Sequence, residues 1–328
     1  KLNFLLEAYR HEHLQVNQRA IVGILIAIAK HEKRISMYPE LLSRLSLLSE
    51  EEGFRKNLHT IQMQLLITRE TTKIDKKMRE EIIPEMMKTA KQLNNPNFRF
   101  DESEDSEDRN PEWEEWMDKS GMNDKIKELG DWQMAGADVY MSSFAQLKHY
   151  PFFHQISHWF YPFDMNLPIL SPLKKEFDSS AFSPLKLIAH SDYFCNSDKF
   201  SFSLAMLDMP KSMREMSMNQ MEEQARMNEE HRDKLEALMH EKKEAKGISR
   251  QYIQDLYRFF KLWQRHQEEE DIFRWKFNLW ENSLLGDALQ QPEITKELAD
   301  YLLQKEYLEE AYSLYQKLMN EHSTLAEV

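Results

Sequence analysis

The chain has 328 residues, 41% of them hydrophobic, with 7 Gly, 11 Pro, one Cys and a formal net charge of −13. That length allows two domains or one elongated array of helical units, and the wealth of Leu, Glu, Lys, Met and Gln favours helices over turn-dense sheets. The acidic balance excludes a dominant phosphate-neutralising face, so nucleic acid and anionic membranes are poor partners, and the lone Cys195 excludes an internal disulfide and Cys-rich zinc modules.

Residues 1–93 read as a succession of helices. Phe4, Leu5, Ala8 and Tyr9 form one apolar stripe, and Ile21, Leu25, Ile28 and Ala29 form the next. The longest apolar run, Ala20 to Ala29, is flanked by Arg19 and Lys30. At ten residues it is too short to span a hydrocarbon layer of roughly 30 Å, so it is expected to be a buried core helix. Tyr38-Pro39 restarts the chain, and Leu41, Leu42, Leu45 and Leu48 mark a short helix ending near Ser49 and Glu50. Phe54, Leu58, Ile61, Leu65 and Leu66 make another stripe, and a further helix is expected from about Lys76, with Pro84 as a kink or restart.

Residues 94–110 are expected to be an acidic loop or linker. Between Asp101 and Glu115 stand nine acidic residues and one Arg, a net −8 that leaves only −5 for the rest of the chain. Such a run repels itself and lacks apolar anchors, so a solvated linker is the plain reading and a lure for a basic partner the sharper one. In residues 111–210, Pro111 opens a segment with Trp113 and Trp116, and Leu129, Trp132 and Val139 to Leu147 predict a helical pair around Gly136. Then the character changes. Tyr150 to Phe163 holds seven aromatics in fourteen residues, and six of the eleven prolines fall between Pro151 and Pro210. Long helices cannot run through that density, so short helices and irregular loops are expected.

Residues 211–291 predict a long Met-rich helix followed by apolar helices. Met221, Ala225, Leu235 and Met239 lie on a stripe, Gly247 ends the helix, and Ser249 is a plausible N-cap for the next. Tyr252, Leu256, Phe259, Phe260 and Trp263 would turn that next helix to the core.

No Gly-rich phosphate loop, G-x-S-x-G elbow or H-E-x-x-H pair is present, so no cofactor is expected and the chain is not expected to be an enzyme. One alternative is a metal-dependent enzyme built on His149, His154 and His158. The last two are four apart and would share one face of a helix. A Cys195 nucleophile with His190 nearby has no recognisable oxyanion element. The other alternative is a structural spacer within a longer chain.

Residues 292–328 give the most legible spacing. Two amphipathic helices are expected, joined by a tight turn at Gln304, Lys305 and Glu306, with Leu298, Ala299, Ala311, Tyr315 and Leu318 at helical intervals. Pro292 to Leu325 is thirty-four residues long and resembles a tetratricopeptide repeat. Leu298 and Ala311 fit that pattern, Ala299 replaces its usual glycine and Tyr315 supplies the later aromatic. Thr295, Leu302 and Ser323 stand where Trp, Tyr and Pro are common. Together with LKHYPFF, WFYPF and NSDKFSF upstream, the hairpin is similar to large bacterial proteins that end in such arrays.

What the resemblance implies is an all-α protein of helical hairpins in an α-solenoid-like array, interrupted by the Pro- and aromatic-rich central segment. It also implies an interaction scaffold for a protein or peptide; the charge balance and the short apolar run add the expectation of a cytoplasmic chain without membrane insertion. The partner would lie along the first helix of the hairpin, on Glu293, Lys296, Asp300, Leu303 and Gln304.

Overall fold

The computed structural model describes residues 1–85, 87–88, 121–177, 184–216, 219, 244–263 and 270–321, which hold α, 3-10 and π turns of helix and no strand. The acidic run, Trp113, Trp116 and the Met stripe from Met221 to Met239 lie outside the described residues. The chain forms two compact units. One takes Lys1–Leu66, Lys242–Ile253 and Arg265–Val328, and the other takes Ile67–Glu241 and Gln254–Gln264. The blocks read from the sequence are consecutive, whereas these units are not, because contact follows which apolar faces meet rather than chain order.

In the first unit, α1 (Leu2–Tyr9) folds back on α2 (Leu14–Ile35). The apolar run occupies the middle of α2, and Ile21, Ile24, Leu25 and Ile28 are wholly buried. No helix among the described residues is long and apolar enough to cross a membrane. α3 (Pro39–Glu50) starts on its proline, whose missing N–H costs nothing in a first turn, and buries Leu45 and Leu48. α4 (Glu52–Arg69) follows almost at once and buries Phe54, Leu58, Ile61, Leu65 and Leu66, with the Tyr9 and Phe54 rings meeting edge-on at 5.8 Å.

Residues 270–291 depart from the expected apolar helices. They form three separate 3-10 turns, Ile272–Arg274, Leu279–Glu281 and Gly286–Leu289, with Phe277 in the left-handed region at φ 50°. Side chains from other helices satisfy backbone groups that a continuous helix would pair internally. The buried Gln62 of α4 accepts from the Leu279 amide at 3.0 Å, and Glu32 of α2 accepts from the Ser283 amide at 2.6 Å. Gly286 is required where it stands, since a Cβ there would lie 2.9 Å from the Trp280 carbonyl oxygen.

The second unit opens with α5 (Thr71–Lys77), which starts earlier than the sequence suggests, and continues into a π turn at Met78–Ile82 closed by the Ile83 amide on the Met78 carbonyl. Pro84 explains the widened turn, because its ring would press on the carbonyl four residues earlier in a regular helix. α6 (Met122–Met134) ends on Gly136 at φ 86°, with the Gly136 and Ala137 amides returning to the Gln133 and Trp132 carbonyls. The expected second helix of that pair shrinks to α7 (Met141–Ala145), followed by 3-10 turns at Gln146–His149, Pro151–His154 and Ile156–Phe160. Pro168–Leu170, α8 (Ser171–Phe177), α9 (Pro184–His190) and α10 (Asn196–Asp208) complete this stretch. Phe152, Phe153, Trp159, Leu170, Phe200, Phe259 and Trp263 pack as one core.

α11 (Ala245–Leu262) runs through Gly247 and Ser249 without a break. The expected cap at Ser249 is corrected: its hydroxyl donates back to the Ala245 carbonyl at 3.1 Å, the interior-helix habit of a serine, and both sites are helical. In the first unit α12 (Pro292–Gln304) and α13 (Leu308–Glu321) form the C-terminal hairpin.

Candidate functional site

The hairpin is knit by Leu298, Ala299 and Leu302 of α12 against Ala311, Leu314 and Leu318 of α13, all at 3% exposure or less. Its turn follows from local chemistry. Glu306 takes φ 65°, and the Glu306 and Tyr307 amides donate to the Leu303 and Leu302 carbonyls, closing α12 as Gly136 closes α6. Glu293, Lys296, Asp300, Leu303 and Gln304 all lie on the exposed side of α12. Asp300 is not a free contact, because the Tyr315 hydroxyl of α13 donates to it, and that bond, with some burial, pushes the phenol up to about 12. The Tyr315–Asp300 bond thus ties the two helices together.

α13 has a second apolar stripe that sequence reading did not single out. Leu308, Tyr312 and Met319 are 61%, 65% and 62% exposed. Their spacing sets them roughly 100° around the helix from the buried stripe. Tyr312 is further fixed by the Gln316 amide, which donates to its hydroxyl at 2.6 Å.

In the second unit the aromatic core covers a buried group of charges. Arg258 of α11 stands between two carboxylates: Nη2 donates to Asp138 at 2.9 Å and to Asp198 at 2.7 Å, Nε shares both Asp198 oxygens at 3.2 Å, and Nη1 also reaches Asp138. Lys148 donates to Asp198 at 2.8 Å and to Ser201 at 3.0 Å, with its ammonium 4.7 Å from the Phe153 ring centroid. Asp255 sits at the start of α10, accepting from the Ser197 amide at 2.8 Å and from Asn196 at 3.1 Å, where the helix dipole favours a negative charge. Lys199 donates to the Ala189 carbonyl at 3.0 Å. All six charged residues are buried, and three cations balance three anions. Burial alone would raise the Asp198 pKa, but Arg258 and Lys148 outweigh it and hold the carboxyl at about 2.

These residues escaped sequence reading because their partners are distant: Asp138 lies 120 positions and Asp198 60 positions from Arg258. One signal was present. Lys148, Asp198 and Arg258 each interrupt an aromatic-rich run, LKHYPFF, NSDKFSF and LYRFF. The group has no exposed member through which a substrate would reach it, and it acts as an internal pin joining α7's flank, α10 and α11.

The histidines do not converge. Gln155 is extended (φ −102°, ψ 127°) between two 3-10 turns, so the four-residue spacing of His154 and His158 does not give a shared helical face. His158 Nδ1 lies 2.7 Å from the Phe152 carbonyl and its ring stacks on Phe152, His149 stacks on Tyr150, and His154 is exposed. Among the described residues no group of three His, Cys, Asp or Glu side chains is placed to hold a metal ion. Cys195 is buried 3.4 Å from the Ser197 hydroxyl, and burial first, then Asp198 and Asp255, push its thiol well above its ordinary value. A thiol so protonated is a poor nucleophile. Comparison of the chain with protein-family models, curated proteins and solved structures returns no match.

Proposed function

We propose that the chain is a protein-interaction scaffold of tetratricopeptide type, whose C-terminal hairpin docks an amphipathic helix of a protein partner. The observation that supports this is the exposed stripe of Leu308, Tyr312 and Met319 on a helix whose other apolar stripe is already used inside the hairpin. In stacked-hairpin architectures each unit buries its outer face only against a neighbour, and helix-in-groove recognition uses anchors at this spacing. Exposed Glu293, Glu297, Glu306 and Glu309 surround the hairpin against one exposed cation, Lys296, so the partner helix carries basic residues beside its apolar face.

The experiment is capture of a partner by the chain, followed by mapping. Leu308→Glu with Tyr312→Glu and Met319→Glu should abolish capture and any photo-crosslink placed at residue 316, while Leu47→Glu, on an equally exposed apolar residue of α3, should leave both intact. Retention of binding by the triple variant would refute the assignment. Loss instead with Lys296→Glu and Gln304→Glu would move the contact to the outer side of α12. A dimer of the chain abolished by the triple variant would reassign the stripe to self-association.

A further inference from the structure

In the first unit, α1, α2 and the start of α3 border a half-open pocket of 740 Å³ that the hairpin reading does not use. That size lies within the range of roughly 300–1,000 Å³ typical of small-molecule sites. Its floor is apolar. Leu5 of α1, Ile26 and Ala27 of α2 and Leu41 of α3 line it, and Gly23 adds no side chain, its Cβ position being 3.4 Å from Leu5. Lys1, Lys30 and Arg34 bring positive charge to it, His31 lies beside them, and none of its lining residues is acidic. The rim coincides with a break in α2, where His31 leaves helical geometry at φ −123°, ψ 22°.

The rim charges differ in what they already hold. Lys30 is engaged, donating to Glu270 at 3.0 Å and lying 5.5 Å from the Trp275 ring centroid. Arg34 is exposed and pairs with no carboxylate among the described residues. An unneutralised guanidinium next to a half-open apolar groove matches a ligand with one anionic end and one hydrocarbon end. A planar carboxylate suits the guanidinium fork.

We propose that this cavity binds a fatty carboxylate, with the acyl chain on Leu5, Ile26, Ala27 and Leu41 and the head group on Arg34. The cavity and the charge sign are independent observations that agree on this class, and a cationic or neutral amphiphile satisfies only one of them.

The test is calorimetric titration of the full chain with dodecanoate below its micellar concentration, beside dodecyltrimethylammonium and dodecanol as controls. Dodecanoate should bind saturably at one site and raise the thermal midpoint, and the cationic amphiphile should not. Arg34→Glu, an exposed substitution, should weaken dodecanoate binding by about tenfold or more. Ala27→Phe, which fills the floor, should block it. If Ala27→Phe fails to fold, Ile26→Asn gives the same reading by placing an amide on the acyl surface. Absence of binding, equal binding of the cation, or indifference to Arg34→Glu would overturn the proposal. So would binding confined to phosphatidylglycerol vesicles with none of free dodecanoate, which would make the site a membrane contact instead.

Discussion

Replacing Arg258 with Met tests the claim that the second unit is pinned by its buried charges. Met keeps an unbranched chain of similar length, so the loss is chiefly of charge and hydrogen bonds. Arg258 is 1% exposed and serves two carboxylates that are themselves buried. Its removal turns a balanced group of three cations and three anions into one with a surplus negative charge, and Asp138 loses its cation entirely, while Lys148 still holds Asp198. Breaking one side of a buried ion pair costs about 3–5 kcal/mol, because the stranded charge stays desolvated. Against a total of roughly 5–15 kcal/mol for a folded domain, that is a large share. Urea unfolding followed by tryptophan fluorescence reads it directly, since Trp159 and Trp263 lie in the core beside this group. Adding Asp138→Asn to Arg258→Met restores neutrality and should recover part of the loss, a non-additive outcome expected of residues in one network. A cost below about 1 kcal/mol for Arg258→Met, or a double variant as unstable as the two single losses summed, would refute the reasoning.

Acid should weaken the same unit with a defined sign. Asp198 falls from an ordinary 3.8 to about 2 in the folded chain, so its contribution is complete above pH 4 or so and is lost as pH falls through 2, an effect of about 2 kcal/mol readable as a falling urea midpoint. Glu306→Gly should stabilise the hairpin by about 1 kcal/mol, because Glu306 holds φ 65° and glycine adopts that geometry freely; a rise in thermal midpoint checks it. Gly286→Ala should destabilise by about 1–3 kcal/mol, since the new methyl meets the Trp280 carbonyl, and an unchanged midpoint would show that the segment yields.

The outer face of α13 and the cavity beside α2 are separate features of the first unit, and their tests are independent. Loss of partner capture through Leu308, Tyr312 and Met319 says nothing of dodecanoate, and Arg34→Glu should leave capture unchanged.

Much of the helical content was legible. The stripes at Ile21 to Ile28, Leu45 with Leu48, and Phe54 to Leu66 became buried faces, and the hairpin from Pro292 formed with its turn one residue from the expected centre. These are local outcomes, since periodicity and caps act within a few residues of one another. Residues 270–291 depart from the helical expectation because apolar density does not distinguish a buried helix from irregular backbone, and here Gln62 and Glu32 supply the hydrogen bonds a helix would have made. The histidine spacing was likewise uninformative once 3-10 turns replaced the α-helix it presupposed.

The sequence alone determined that the described residues would be helical without strand, that the apolar run would be core, and where the last two helices would turn. Only the tertiary structure decided that Asp138, Lys148, Asp198 and Arg258 meet, that Asp300 belongs partly to Tyr315, and that one apolar stripe of α13 is buried while the other faces outward. Helix formation is governed by neighbours in sequence, whereas burial of a charge or exposure of a leucine depends on surfaces brought together from as far as 251 positions away.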